Sequence, residues 1–348
     1  MELPTSWKNL QAVAACCALA LMIAQNTALA QVTGITSPFS ATGPFAVERS
    51  DATWRDGVRE RDVPVRIYAP RVIDRNAAAN TRFPVSLFSH GLGGSREGGK
   101  LWSEHWATHG YVVIAMQHAG SDESLWNGSS HRDRTRAMKS AMTLNNAGLR
   151  VGDVRFVIDE VIRRALAGEA AFARADGKRI GMSGHSFGSQ TTMAMSGQKA
   201  GNLGGQSGLE LRITSAIAFS PNARNKRNLA RQYGDIRIPV FSITGTADGS
   251  ILGDGTRYQD RLLPFENMAL GGKYLVVFDA GDHMVFGGHE FGPRRAETAR
   301  DREIQAAVKA GSLAFWDATL KDDAVARQWL TDGGFQSMLD EKDRFASK

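Results

Sequence analysis

Three side chains in this 348-residue chain have the types and the order that nucleophilic acyl transfer requires: Ser186, Asp248 and His283. Ser186 is the centre of Gly184-His185-Ser186-Phe187-Gly188, which follows the strand-like run Arg179-Ile180-Gly181-Met182-Ser183. A serine with glycine two residues to either side suits a sharp strand-to-helix turn. Such a turn lifts Oγ above a sheet and sets it at a helix start, where developing negative charge is favoured. The glycines remove Cβ atoms that the close approach of strand and helix would drive together. A hydroxyl is a weak nucleophile alone, so it needs a base within hydrogen-bond reach and a third group to orient that base. His283, after the run Tyr274 to Phe278, is the candidate base; Asp248, after the run Ile238 to Ile243, is the candidate orienting acid.

Each member also has a plainer reading. Ser186 would serve as a helix cap, and Asp248 as the first residue of an Asx-turn before Gly249. Asp235, Asp254 and Asp282 are rival acids, although Asp282 adjoins the proposed base and would point elsewhere. His289, within Gly287-Gly288-His289-Glu290-Phe291, is the rival base. Read as a metal cluster, Asp282, His283 and His289 have no recognised ligand spacing, so neither a metal nor a cofactor is expected.

The elements that must position these groups follow from the apolar patterning. Val63 to Tyr68 alternates like a strand; Phe83 to Ser89 and Tyr111 to Met116 read as short buried strands, as do Ile213 to Phe219, Ile238 to Ile243 and Tyr274 to Phe278. Leu101 to His109, Leu149 to Leu166 and Arg302 to Leu320 suit helices, the second with Val151, Val154, Val157, Ile158, Val161 and Ile162 at helical spacing. Strands alternating with helices predict an α/β fold with a mostly parallel central sheet and helices on both faces, functional groups gathering at the carboxyl ends of strands. The order Ser, Asp, His, each after its own strand, is that of the α/β-hydrolase fold. That fold supplies two backbone N–H donors to the oxyanion of the tetrahedral intermediate. Here they are expected from Phe187, directly after the serine, and from Leu92, in His90-Gly91-Leu92-Gly93-Gly94.

Composition is ordinary for a globular chain: 42% hydrophobic, 22% charged, with a formal charge of +6, too little for a nucleic-acid footprint. Residues 1–30 read as a secretory signal, with Lys8, the apolar run Val13 to Ile23 and Ala28-Leu29-Ala30 before a cleavage point at Gln31. A lipoprotein site at Val13-Ala14-Ala15-Cys16 is the lesser alternative, and the apolar run is too short to span a membrane. Both cysteines, Cys16 and Cys17, lie in this segment, so the mature chain has no disulfide and no thiol nucleophile. The expectation is an exported protein, periplasmic or secreted, with residues 31–348 forming one domain: an irregular lead-in over 31–60 and a possible cap over 117–140.

Phe88-Ser89-His90-Gly91-Leu92-Gly93-Gly94-Ser95-Arg96, His109-Gly110-Tyr111-Val112-Val113 and the elbow around Ser186 resemble the platelet-activating-factor acetylhydrolase family, which includes bacterial relatives labelled predicted dienelactone hydrolases. The resemblance spans about residues 60 to 290. It implies an α/β-hydrolase fold, metal-free ester hydrolysis by a Ser-Asp-His triad, and oxyanion donors matching Leu92 and Phe187. Dienelactone hydrolases use a cysteine nucleophile, so Ser186 departs from that literal activity. A small-molecule ester is the expected partner. A polyester or cutin hydrolase, a serine peptidase and a non-catalytic binding protein on the same scaffold are the alternatives.

Other residues draw plainer expectations. His118, Asp122 and His131 read as solvated loop residues rather than pocket lining. The basic runs Arg132, Arg134, Arg136, Lys139 and Arg224, Lys226, Arg227, Arg231 read as solvated faces. Trp102, Trp106 and Trp126 read as packing.

Overall fold

The strands that carry the proposed chemistry are buried on both faces, and this decides the architecture. A computed structural model of the chain describes residues 37–72, 81–127, 130–199, 208–250, 252–289 and 295–348; the expected signal segment lies outside them. Among the described residues there are nine strands: β1 (Ala46–Asp56), β2 (Arg61–Arg71), β3 (Phe83–Ser89), β4 (Val112–Met116), β5 (Ala175–His185), β6 (Ile213–Phe219), β7 (Val240–Ala247), β8 (Lys273–Asp282) and β9 (Arg344–Ser347). They form one sheet in the order β1-β2-β4-β3-β5-β6-β7-β8-β9. The six from β4 to β8 are mutually parallel, while β1, β2 and β9 are added antiparallel.

Consecutive residues of the central strands enter opposite cores, as the two-residue period of a strand requires. Phe88, Val113, Ile217, Ile243 and Val276 face one core, where Trp102 and Trp106 of α1 (Lys100–Thr108) meet Leu313, Phe315 and Trp316 of the helix Ala299–Leu320. Leu87, Ile114, Ile180 and Met182 face the other, under Val154, Val157, Ile158 and Val161. Those four valines and isoleucines come from a helix that begins at Leu144, five residues earlier than the apolar period indicates. Thr143 extends it, capping the Asn146 N–H with its hydroxyl.

One expectation about organisation needs correction. Residues 31–60 are not an irregular lead-in throughout, because Ala46–Asp56 is an eleven-residue strand paired along its whole length with β2. It escapes notice because an edge strand keeps most side chains in solvent; only Trp54 and Asp56 are buried. The 117–140 segment is also more ordered than its sequence suggests, with a 3₁₀ turn at Glu123–Asn127 and α2 at His131–Ala141. The remaining helices, in chain order, are α3 (Leu144–Leu166), α4 (Phe187–Met195), α5 (Leu229–Tyr233), α6 (Tyr258–Asn267), α7 (Ala299–Leu320) and α8 (Ala324–Thr331). Among the described residues, no helix is long and apolar enough to cross a membrane.

Candidate active site

Ser186 joins β5 to α4 in a backbone conformation that side chains rarely adopt, φ 56° and ψ −113°. Strain of this kind costs about 1–3 kcal/mol and persists only where the surroundings over-determine it. The surroundings here do so. The Ser186 N–H donates to the Phe219 carbonyl of β6 at 3.0 Å, and the Ser186 carbonyl accepts from the N–H groups of Ser189 and Gln190 in α4. A Cβ on Gly188 would stand 1.9 Å from the Ser89 carbonyl oxygen, and one on Gly184 would stand 2.4 Å from that of Gly188. The flanking glycines are thus required by contact between the elbow and β3.

β7 and β8 carry the other two groups to the same edge of the sheet. His283 Nε2 lies 2.9 Å from Ser186 Oγ, and His283 Nδ1 lies 2.7 Å from Asp248 Oδ1. Asp248 is fully buried, and its second oxygen accepts from Thr244 Oγ1 at 2.8 Å. A carboxylate only accepts, so Nδ1 carries the imidazole proton and Nε2 is free to accept from the serine. His185 packs against the base, its ring centroid 4.6 Å from that of His283. Its Nε2–H donates to the His283 carbonyl at 2.9 Å. Burial, followed by the neighbouring His283 and His289, holds His185 well below the ordinary histidine range, so it stays neutral.

Arg261 of α6 is a residue that sequence reasoning missed. Its guanidinium is buried against the acid, with Nε 2.8 Å from Asp248 Oδ1 and donating to the Asp248 carbonyl at 2.6 Å. Its other nitrogens donate to the carbonyls of Ser220 at 2.9 Å and Gly249 at 3.1 Å. Nothing in Tyr258–Asn267 separates this arginine from the chain's many others, since its partners lie on distant strand ends.

The rivals occupy other positions. Asp282 turns away from the imidazole and accepts from the N–H groups of Met284 and Val285. Asp235 pairs with Lys199, and Asp254 accepts from the Thr256 N–H at the cavity rim. His289 also lines the cavity, but no contact joins it to Ser186. Among the described residues, no group of three metal-ligating side chains is close enough to hold an ion.

A cavity of about 480 Å³ opens over Ser186, with Leu92 and Phe187 in its lining. Its lining is mixed: Trp126, Met138 and Met142 contribute apolar side chains, and Asn222, Arg224 and Asp254 polar ones. Trp126 is therefore a cavity wall rather than buried packing: it is 46% exposed and held by an Nε1–H bond to the Gly93 carbonyl. Trp102 and Trp106 are core residues, as expected. The expectation that His118 and Asp122 are solvated fails, since both are buried under the loop that follows β3. His118 lies between Ser89 Oγ (2.9 Å) and Asp153 Oδ2 (3.0 Å), a partnership invisible in a polar stretch with no period.

A model of the family described as platelet-activating factor acetylhydrolase, isoform II, matches residues 64–145. The matched stretch contains Phe88–Arg96 and His109–Val113, two of the three motifs that carry the resemblance, and ends before the elbow at Ser186. No curated protein matches the chain.

Proposed function

We propose that this chain is an exported serine esterase of the α/β-hydrolase fold, with residues 1–30 removed and 31–348 acting as one domain. The reading rests chiefly on the unbroken hydrogen-bonded series Ser186 Oγ, His283, Asp248 at the carboxyl ends of β5, β8 and β7, opening on a cavity. The match to an acetylhydrolase family over 64–145 supports an ester-directed hydrolase independently, because that stretch excludes all three residues.

His283 Nε2 takes the Ser186 proton as Oγ attacks the ester carbonyl, and Asp248 stabilises the resulting imidazolium. Negative charge on the carbonyl oxygen is met by the Leu92 and Phe187 N–H groups. Collapse expels the alcohol, which receives its proton from His283, and leaves an acyl group on Ser186. Water activated by the same imidazole then releases the acid. A cavity of about 480 Å³ lined in part by Trp126, Met138 and Met142 suits a small ester or a short acyl chain.

The test is hydrolysis of aryl esters graded by acyl length, with covalent labelling by a fluorophosphonate. The expected result is fastest turnover on the shortest acyl groups and labelling that is lost in Ser186→Ala. A folded wild-type chain that is neither labelled nor active would refute the reading and favour a binding protein on this scaffold. Turnover of solid polyester, or of peptide amides alone, would replace the substrate class.

A further inference from the structure

Beneath the loop that carries Leu92 lies a second serine–histidine–aspartate series, Ser89–His118–Asp153, with the same two contacts as the first. Its serine is fully buried and its hydroxyl lies 3.3 Å from Arg150 Nη1, out of reach of any solute. It is a scaffold, and what it supports is His90.

The proton on His90 can be assigned from its partners. The His118 backbone N–H points at His90 Nε2 at 3.0 Å, so Nε2 accepts and the imidazole proton is on Nδ1. Nδ1–H then donates to the Gly91 carbonyl at 2.6 Å. Burial, reinforced by Arg150 and His118, holds His90 well below the ordinary histidine range and keeps it in this neutral form. Arg150 closes the cluster from α3. It donates to the His90 carbonyl at 2.7 Å and to Ser121 Oγ at 2.9 Å, and its guanidinium sits 4.4 Å over the Phe187 ring.

The Gly91 carbonyl and the Leu92 N–H belong to one peptide plane. In a trans peptide the two bonds point in opposite directions, so fixing the oxygen fixes the hydrogen. The Gly91 oxygen is held from inside the protein by His90 Nδ1–H, by the Gly94 N–H at 3.1 Å and, at 3.5 Å, by Arg150 Nη2. The geometry points to His90 as a positioning residue that aims the Leu92 N–H at the oxyanion, an inference that rests on the esterase reading above.

Two variants separate the two nitrogens of His90. His90→Asn keeps a donor at the Nδ1 position and loses the acceptor for His118; His90→Gln keeps an acceptor near Nε2 and loses the Nδ1 donor. The expected result is a kcat lowered tenfold or more in His90→Gln with KM within about twofold, and a kcat restored to within about threefold of wild type in His90→Asn. A misaimed donor costs less than the ~10²–10³ of a deleted one, because the Gly94 bond remains. Equal losses in both variants, or a loss in His90→Asn alone, would overturn the assignment and make His90 a packing residue. Should the glutamine chain not fold, the asparagine variant decides alone: a tenfold loss in a folded protein refutes the role. A wild-type chain without ester turnover would remove the esterase reading itself, an outcome distinct from any difference between the two variants.

Discussion

Arg261 Nε stands 2.8 Å from Asp248 Oδ1, the same oxygen that meets His283 Nδ1 at 2.7 Å. One buried carboxylate oxygen therefore serves two donors, and the cation fixes where the acid points. Removing one member of a buried ion pair typically costs about 3–5 kcal/mol, because the other is left uncompensated. Arg261→Met is expected to lose stability on that scale, read as a lowered urea midpoint. Arg261→Lys keeps the charge but cannot reach the carbonyls of Ser220 and Gly249 together. Its kcat should fall at least tenfold while its midpoint changes less. A lysine variant with wild-type kcat would show that the fork of donors is irrelevant to the site.

Asp248→Asn should lower kcat by about 10⁴ with the fold intact. The amide cannot accept from His283, Arg261 and Thr244 at once, so the imidazole loses the bond that keeps its proton on Nδ1. Single-turnover kinetics together with circular dichroism check this, and a loss below tenfold would assign the acid's role elsewhere.

Gly188→Ala is expected to prevent folding. The added methyl would lie 1.9 Å from the Ser89 carbonyl oxygen, a backbone atom that cannot rotate away. Soluble expression and melting temperature are the readouts. A stable, active Gly188→Ala protein would contradict the tight packing of the elbow on β3.

Trp126→Ala should change selectivity more than catalysis. The indole is exposed and lines the cavity, as Met138 and Met142 do, and losing it removes apolar contact only for acyl groups long enough to reach it. Losing a few methylene contacts is worth about 1–3 kcal/mol, so kcat/KM on butyl or longer acyl esters should drop at least tenfold. Acetyl esters should be nearly unaffected, and uniform loss across the series would refute a selectivity role.

Acid should destabilise the chain well before its carboxylates titrate. Burial lowers His105 and His118 to about 4 and His90 and His185 well below the ordinary value. Each of these groups binds its proton more readily unfolded, so its contribution is complete above about pH 6.5 and is lost as pH falls toward the folded value. The slope is about 1.4 kcal/mol per pH unit for each histidine, which makes the decline between pH 6.5 and 4 steep. Urea denaturation at pH 7 and pH 5 measures it, and a flat profile would mean that the buried histidines are hydrated.

The amino-acid sequence by itself determined the mostly parallel sheet and the order in which Ser186, Asp248 and His283 follow its strands. Those features are local: a strand of Tyr111–Met116 type must be covered on both faces, and the glycines around Ser186 answer to a turn within the five residues Gly184 to Gly188. Strand β1 was hidden because its side chains face water, and a two-residue period has little to display on an exposed edge. Only the tertiary structure decided the support around the site. Arg261, Arg150, His90, His118 and Asp153 are ordinary polar residues in the sequence, and nothing in their spacing marks them. Their roles come from partners on other elements: Arg261 with Ser220 is separated by 41 residues, and Arg150 with His90 by 60. Side-chain hydrogen bonds of that span leave no repeat or spacing to read, since only the fold brings their two ends within 3 Å.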